Sequence, residues 1–107
     1  MRRAAWMFIA VALCWLSGCG PIVSGVQIIR ADIELSAAKS ADAPKHALYE
    51  YTAASEYLKK AREENAYSDF YKSRLYADKA LHYAEKARQR AEAAAQAEQP
   101  VVLPEER

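Results

Sequence analysis

The side chains of this chain that are best suited to chemistry are two cysteines and two histidines. Cys14 and Cys19 lie near the N-terminus, whereas His46 and His82 are far from each other and from other ligand-type residues. A zinc site needs three or four ligands, so we expect both histidines to be solvated on helix surfaces. No Ser–His–Asp, Cys–His or paired buried carboxylate pattern is recognisable. We therefore predict a protein that is not an enzyme and that holds no metal or other dissociable cofactor.

The residues before Cys19 have the order of an export signal. Arg2 and Arg3 form a basic start, residues 4–16 carry no charge, and small residues follow. The apolar run is shorter than the roughly 20 residues that a membrane-spanning helix needs. We therefore predict a removable signal peptide over residues 1–18. Nothing after the two arginines resembles a twin-arginine export motif.

The end of this signal resembles the lipobox of bacterial lipoproteins. That motif consists of a Leu, two small residues and an invariant Cys, and its places are filled here by Leu16, Ser17, Gly18 and Cys19. The resemblance implies cleavage before Cys19 and attachment of a diacylglyceryl group and an N-acyl chain to that residue. Two or more acyl chains give stable anchoring in a membrane. An ordinary signal peptide that happens to contain a cysteine is the alternative.

The predicted cleavage has consequences for location and charge. Enterobacterial lipoproteins with Asp after the cysteine stay in the inner membrane. Because Gly20 and Pro21 follow here, the resemblance implies the outer membrane, facing the periplasm, in a Gram-negative host. Removal of Arg2 and Arg3 lowers the 15 basic residues to 13, against 14 acidic residues. The mature chain has no excess positive charge for binding nucleic acid.

The spacing of apolar residues predicts an all-α domain over residues 26–97. We expect a lipidated tether at residues 19–25 before it and a flexible tail at residues 98–107 after it. The first helix is predicted to begin at about Ile22 or Val26 and to end near Ser40. Its inward face is predicted to contain Val26, Ile29, Ile33 and Ala37, widened by Ile28, Ala31 and Leu35. Such a wide apolar face indicates burial on both sides or contact with lipid near the anchor.

Two further helices are predicted on either side of a break at residues 65–68. Asp42 is the expected N-cap of the second helix, with Pro44 in its first turn. Asn65 is expected to adopt the left-handed conformation, and Ser68 to cap the third helix. The predicted inward stripe of the second helix is Ala47, Tyr51, Ala54, Leu58 and Ala61. That of the third is Phe70, Ser73, Ala77, Ala80, Ala84, Ala87, Ala91 and Ala94.

Alanine at every turn of the third helix allows close approach of the second, so we predict an antiparallel hairpin covered by the first helix. Residues 43–90 resemble a bacterial domain family of unknown function whose members are envelope lipoproteins, and also a single tetratricopeptide-type hairpin. The resemblance is carried by Ala43-Pro44, Leu48, Tyr51, Ala54, Leu58, Ala61, Ala77, Ala80, Ala84 and Ala87. There is no second full repeat, so a long concave groove is not expected.

A second stripe on the third helix combines cations with tyrosines. It consists of Lys72, Tyr76, Lys79, Tyr83, Lys86 and Arg90. One interpretation is a face for an anionic partner such as a glycan, a lipid head group or an acidic protein surface. The other places the tyrosines at the edge of the core with the lysines in solvent. The tyrosines lie about 80° from the centre of the alanine face, which favours the core edge.

These features predict a lipid-anchored, non-catalytic helical module that binds an envelope protein. The alternative is a structural envelope lipoprotein that self-associates or contacts peptidoglycan non-covalently. That alternative resembles the small murein lipoprotein in its anchor and helical content. The murein lipoprotein is attached through a C-terminal lysine, and Arg107 at this position disfavours covalent attachment. The breaks at Pro44 and at residues 65–68 disfavour a continuous trimeric rod.

Overall fold

The structure is a computed structural model that describes residues 1–16 and 19–100. Within these residues the chain forms five helices. They are α1 (Arg2–Leu16), α2 (Cys19–Ser40), α3 (Ala43–His46), α4 (Leu48–Ala66) and α5 (Phe70–Glu98). The predicted all-α class is confirmed, because α4 and α5 form an antiparallel hairpin and α2 packs against both. The part of the predicted tail at residues 101–107 lies outside the described residues.

The core between α4 and α5 is made of the two predicted alanine stripes. Ala47 just before α4 is buried, as are Ala54, Leu58 and Ala61 within it. Tyr51 packs against the cluster that contains Ala47, Ala87 and Ala91. In α5, every position from Ser73 to Ala91 of the predicted stripe is buried. The Ser73 hydroxyl donates a hydrogen bond of 2.9 Å to the Ala61 carbonyl oxygen across the hairpin. Small side chains at each turn thus bring the two backbones close together.

The buried face of α2 contains the three residues predicted to widen it, Ile28, Ala31 and Leu35, but not the Val and Ile residues predicted at its centre. Val26, Ile29 and Ile33 are exposed to solvent. The opposite side of the helix is buried or half-buried, and it consists of Ser24, Ile28, Ala31, Leu35 and Ala38. The fully buried members of this face are small and recur every seventh residue. They allow α2 to lie close to the alanines of α5, whereas the larger Val and Ile side chains would hold the helices apart.

The predicted tether at residues 19–25 is helical instead. Helix α2 begins at Cys19, and Ser24 is buried. A Cβ atom added at Gly20 would lie 3.5 Å from Cδ2 of Phe70, so the first turn of α2 already contacts the start of α5. Pro21 does not prevent this, because the first turn of a helix needs no backbone donor at that position.

The helix boundaries differ in detail from the predictions. Asp42 has the left-handed φ of 64° and caps with its backbone carbonyl, which accepts the Lys45 and His46 amides, rather than with its side chain. Ala47, with φ −142°, then separates the short α3 from α4, so the predicted second helix is interrupted.

The turn between α4 and α5 is displaced by a few residues from the predicted one. Asn65 is helical, and the left-handed residue is Ser68, with φ 62°. The N-cap of α5 is Asp69, whose carboxylate accepts the Lys72 amide at 3.1 Å. Asp and Ser are both favourable N-cap residues, so the sequence alone did not separate these neighbours.

Candidate functional site

The N-terminal helix α1 is not part of the packed bundle. Every described side chain from Met1 to Trp15 is exposed, including two tryptophans and a phenylalanine. Of the predicted lipobox, Ser17 and Gly18 lie outside the described residues, as do the side chains of Leu16 and Cys19. An 18-residue window near the N-terminus has a mean hydropathy of 1.9, which suits a membrane span by length and composition, a test that an N-terminal signal sequence also passes.

Position 19 lies at a well-packed end of the bundle, which we call the anchor end. The anchor end consists of the first two turns of α2 and the turn between α4 and α5. There the Ser24 hydroxyl hydrogen-bonds to Oδ1 of Asn65 at 2.8 Å and to the Pro21 carbonyl oxygen at 3.1 Å. Together with the approach of Gly20 to Phe70, these contacts fix the start of α2 directly against the hairpin turn.

The predicted basic and aromatic stripe of α5 forms a tyrosine ladder with α4. Tyr57 of α4 lies between Tyr76 and Tyr83, with ring centroids 6.2 and 5.6 Å away and nearly parallel rings. Tyr49 meets the edge of Tyr83 at 6.2 Å. The ammonium group of Lys79 lies 5.5 Å from the Tyr57 ring centroid, a cation–π distance. The ladder therefore lines one seam of the hairpin.

Sequence reasoning found Tyr76 and Tyr83 but not their α4 partners. Tyr57 and Tyr83 are 26 residues apart in the numbering, and only the register of the hairpin brings them together. The negative charge of an ionised Tyr49, followed by its hydrogen bond to Tyr83, raises the pKa of the Tyr83 phenol above 10.0. The ladder thus favours the neutral form of Tyr83.

The cations of the stripe differ in their surroundings. Lys72 pairs with Asp69 at 3.3 Å, and that contact raises the pKa of Lys72 above 10.5. Arg90 pairs at 2.5 Å with Glu50, whose side chain is only 8% exposed. Lys86 is exposed and has no ion pair within the described part of the chain. Lys86 is therefore the cation of this face that is most available to a partner.

Further ion pairs connect α2 to the hairpin, and the sequence analysis missed them. Arg62 of α4 contacts Asp32 at 2.8 Å. Arg88 of α5 contacts both Glu34 of α2 and Glu92 of its own helix, and Glu34 is the main cause of the raised pKa of Arg88. The exposed Arg62–Asp32 pair contributes little to stability, typically about 0–1 kcal/mol, whereas the Arg88–Glu34 pair is half-buried.

A cleft lies between α2 and α4, and the two histidines lie apart from it. The cleft has a volume of about 520 Å³, and its lining includes Leu35, Leu58 and the Asp32–Arg62 pair. His46 is half-buried, and His82 is exposed with its ring against Tyr83. Among the residues that the structure describes, no three His, Cys, Asp or Glu side chains are grouped as metal ligands.

Comparison of the chain with protein-family models, curated proteins and solved structures finds no significant match.

Proposed function

We propose that this protein is a lipid-anchored, non-catalytic helical module that binds another component of the bacterial envelope. One observation carries this proposal. The predicted cleavage point before Cys19 coincides with the boundary between α1, which is exposed along its described length, and α2, which is packed from its first turn. Removal of residues 1–18 would therefore leave the contacts among α2, α4 and α5 intact, as export with signal cleavage requires.

The composition of the core supports the binding role. Removing 18 of 107 residues leaves an 89-residue chain whose fully buried hydrophobic residues are almost all alanine. Alanine contributes little of the roughly 25 cal/mol per Å² that apolar burial supplies, and domains of this size are marginally stable. A partner that covers part of the bundle would add the burial that the isolated core lacks. The tyrosine ladder with Lys86 beside it is the surface that we assign to this partner.

The lipid anchor is tested by mass spectrometry of the protein extracted from membranes of a Gram-negative host. We expect a chain that begins at Cys19 and carries a diacylglyceryl group and an N-acyl chain, in the outer-membrane fraction. The Cys19→Ala variant should keep residues 1–18, whereas the matched Cys14→Ala variant should be processed normally. An unmodified chain that retains residues 1–18 would contradict the proposal and indicate a membrane-spanning N-terminal helix.

The binding role is tested by crosslinking in intact cells. A photoreactive amino acid at the exposed His82, whose ring lies against Tyr83, probes the tyrosine ladder and leaves Lys86 in place. The same group at Ser55 probes the cleft between α2 and α4. We expect an envelope protein to be captured from position 82 and to be lost in the Cys19→Ala background. Capture of a second copy, or of peptidoglycan fragments alone, would contradict the adaptor role and support a structural envelope lipoprotein.

A further inference from the structure

The outward side of α2 carries a line of exposed aliphatic residues, which we call the outward stripe. It consists of Ile22, Val26, Ile29 and Ile33, which are 67, 47, 59 and 64% exposed. The steps of four, three and four residues place them on one helical face, opposite the buried Ser24, Ala31 and Ala38. Single exposed apolar residues are ordinary, but a continuous exposed stripe indicates an interaction surface.

The backbone position of Cys19 belongs to the same face. Positions 19, 22, 26, 29 and 33 follow one another at steps of three and four, so the stripe continues the helical line on which position 19 lies. At 1.5 Å per residue, Ile22 lies about 5 Å and Ile33 about 21 Å along the helix axis from position 19. The stripe therefore begins beside the predicted lipid attachment point.

The contacts at the anchor end leave no flexible spacer between position 19 and the stripe. Helix α2 begins at Cys19, and Ser24 is hydrogen-bonded to Asn65. Position 19 and the outward stripe therefore move together with the bundle as one rigid body. Acyl chains inserted in a bilayer would therefore bring the outward stripe close to the membrane surface.

The surroundings of the stripe match the chemistry of a lipid interface. A shallow groove beside it is lined by Val23, Tyr71, Leu75, Arg74 and Asp78, among others. Tyrosine side chains favour the interface between lipid and water, and Tyr71 is exposed.

The charged groups at the edges of this surface include two cations without an ion-pair partner in the described residues. Arg30 and Arg74 are exposed and have no ion pair within the described part of the chain. They can therefore meet anionic head groups, while Asp78 is the one acidic residue that lines the groove. Asp32, on the other side of the stripe, is paired with Arg62.

The size of the stripe distinguishes a membrane from a second copy of the chain. Stable protein–protein interfaces use about 20–30 residues on each side, whereas the stripe offers four partly exposed aliphatic residues. Beyond Ile33 the same face continues with Ser36, the half-buried Ala37 and Ser40, so it offers no further exposed aliphatic side chain. A lipid surface needs no matching shape and accepts an apolar helix face to a depth of about 5–10 Å.

We propose that the outward stripe of α2 lies in the interfacial layer of the membrane that holds Cys19. The bundle then lies along the bilayer, with its tyrosine ladder at a distance from the lipid. This inference rests on the proposed acylation of Cys19. It adds to that proposal a second, non-covalent contact with lipid and a defined orientation of the bundle.

The test uses the processed protein, residues 19–107 with the acyl chains attached, in vesicles of phosphatidylethanolamine and phosphatidylglycerol. Ile29→Cys and the matched control Glu56→Cys, which is exposed on α4, each carry the same fluorophore. We expect a quencher attached to the lipid acyl chains to reduce emission several-fold more at position 29 than at position 56. A water-soluble quencher should give the opposite order.

Three other results would overturn the inference. Equal access of the water-soluble quencher to both positions in acylated protein would place the stripe in solvent and leave the anchor itself intact. Protection of position 29 from both quenchers, increasing with protein concentration, would indicate a second copy. A missing anchor is recognised separately, because mass spectrometry would then find no acyl group on the purified protein. That result would overturn both the proposed acylation and this inference.

Discussion

Ser24 and Asn65 join the start of α2 to the end of α4 by a hydrogen bond of 2.8 Å between a hydroxyl and an amide oxygen. Ser24 is buried, so the bond cannot be replaced freely by water. It is one of the contacts that make the lipid-bearing end of the chain part of the folded domain. Its energy therefore bears on how firmly the bundle is held to its anchor.

Replacing Ser24 by Ala should lower the free energy of unfolding by about 1 kcal/mol, because the Asn65 amide oxygen loses its buried donor. Asn65→Ala should cost a similar amount, and the double variant should cost less than the sum. Urea unfolding followed by circular dichroism measures all three. Ser36→Ala, at an exposed position of α2, is the control and should leave the free energy of unfolding unchanged. Strict additivity of the two single variants would show that the bond does not contribute.

The alanine stripe of α5 should not tolerate larger side chains. Ala84 is fully buried, so Ala84→Leu should destabilise the bundle by about 1–3 kcal/mol through overpacking. Ala93→Leu, at an exposed position of the same helix, should change stability by less than about 0.5 kcal/mol. Thermal unfolding of the two variants makes the comparison. Equal melting temperatures would mean that the helices at position 84 are not in close contact.

The stripe of α5 was predictable because it has one period and one kind of side chain. Ala77, Ala80 and Ala84 fall on a single face, and from Phe70 to Ala91 most of the residues off that face are polar or aromatic. The face of α2 was not predictable, because Ile29 and Ala31 lie on different sides of a helix that is apolar almost all round. The size of the side chain decided which side is buried, and size matters only against a known partner.

The contacts between helices at the candidate site could not be predicted from the sequence. Asp32 and Arg62 are 30 residues apart, and Glu34 and Arg88 are 54 apart. No spacing rule within one helix pairs them. The same is true of Tyr57 and Tyr83, whose contact depends on the register of α4 against α5. That register is set in turn by the turn at Ser68 and Asp69, where the predicted cap was misplaced by one residue.

The left-handed conformation of Ser68 should make a glycine favourable at that position. A residue with a Cβ atom loses about 1–2 kcal/mol in this region, and glycine adopts it without steric cost. Ser68→Gly should therefore raise the free energy of unfolding, by up to about 1 kcal/mol after the entropic cost of glycine. Ser55→Gly, in the exposed interior of α4, should instead lower it by about 1 kcal/mol. A loss of stability in both variants, measured by urea unfolding, would exclude strain at residue 68.

The N-cap of α5 should make stability depend on acid pH. The amide of Lys72, which donates to the Asp69 carboxylate, holds the pKa of Asp69 below 3.8. Because the folded pKa is lowered, this stabilisation is present above about pH 3.8 and disappears as the pH falls through the folded value. Asp69→Asn keeps a capping side chain and should remove this part of the pH dependence. Melting temperatures at pH 7 and pH 3 for both proteins test the prediction, which fails if the variant shows the same acid response as the original chain.

The tyrosine ladder is best tested at Tyr83, because its two possible roles give opposite results there. As part of the core edge, the ring stacks on Tyr57 and meets Tyr49, so Tyr83→Ala should lower the melting temperature by several degrees and Tyr83→Phe should not. As part of a partner surface, the side chain is dispensable for folding, and Tyr83→Ala should leave the melting temperature unchanged while abolishing crosslinking from position 82. Lys86→Glu is the matched variant: Lys86 has no ion pair in the described residues, so this change should spare folding and weaken capture of an anionic partner. Unaltered capture in Lys86→Glu would remove this face from the proposed binding surface, because the available cation would then have no role in it.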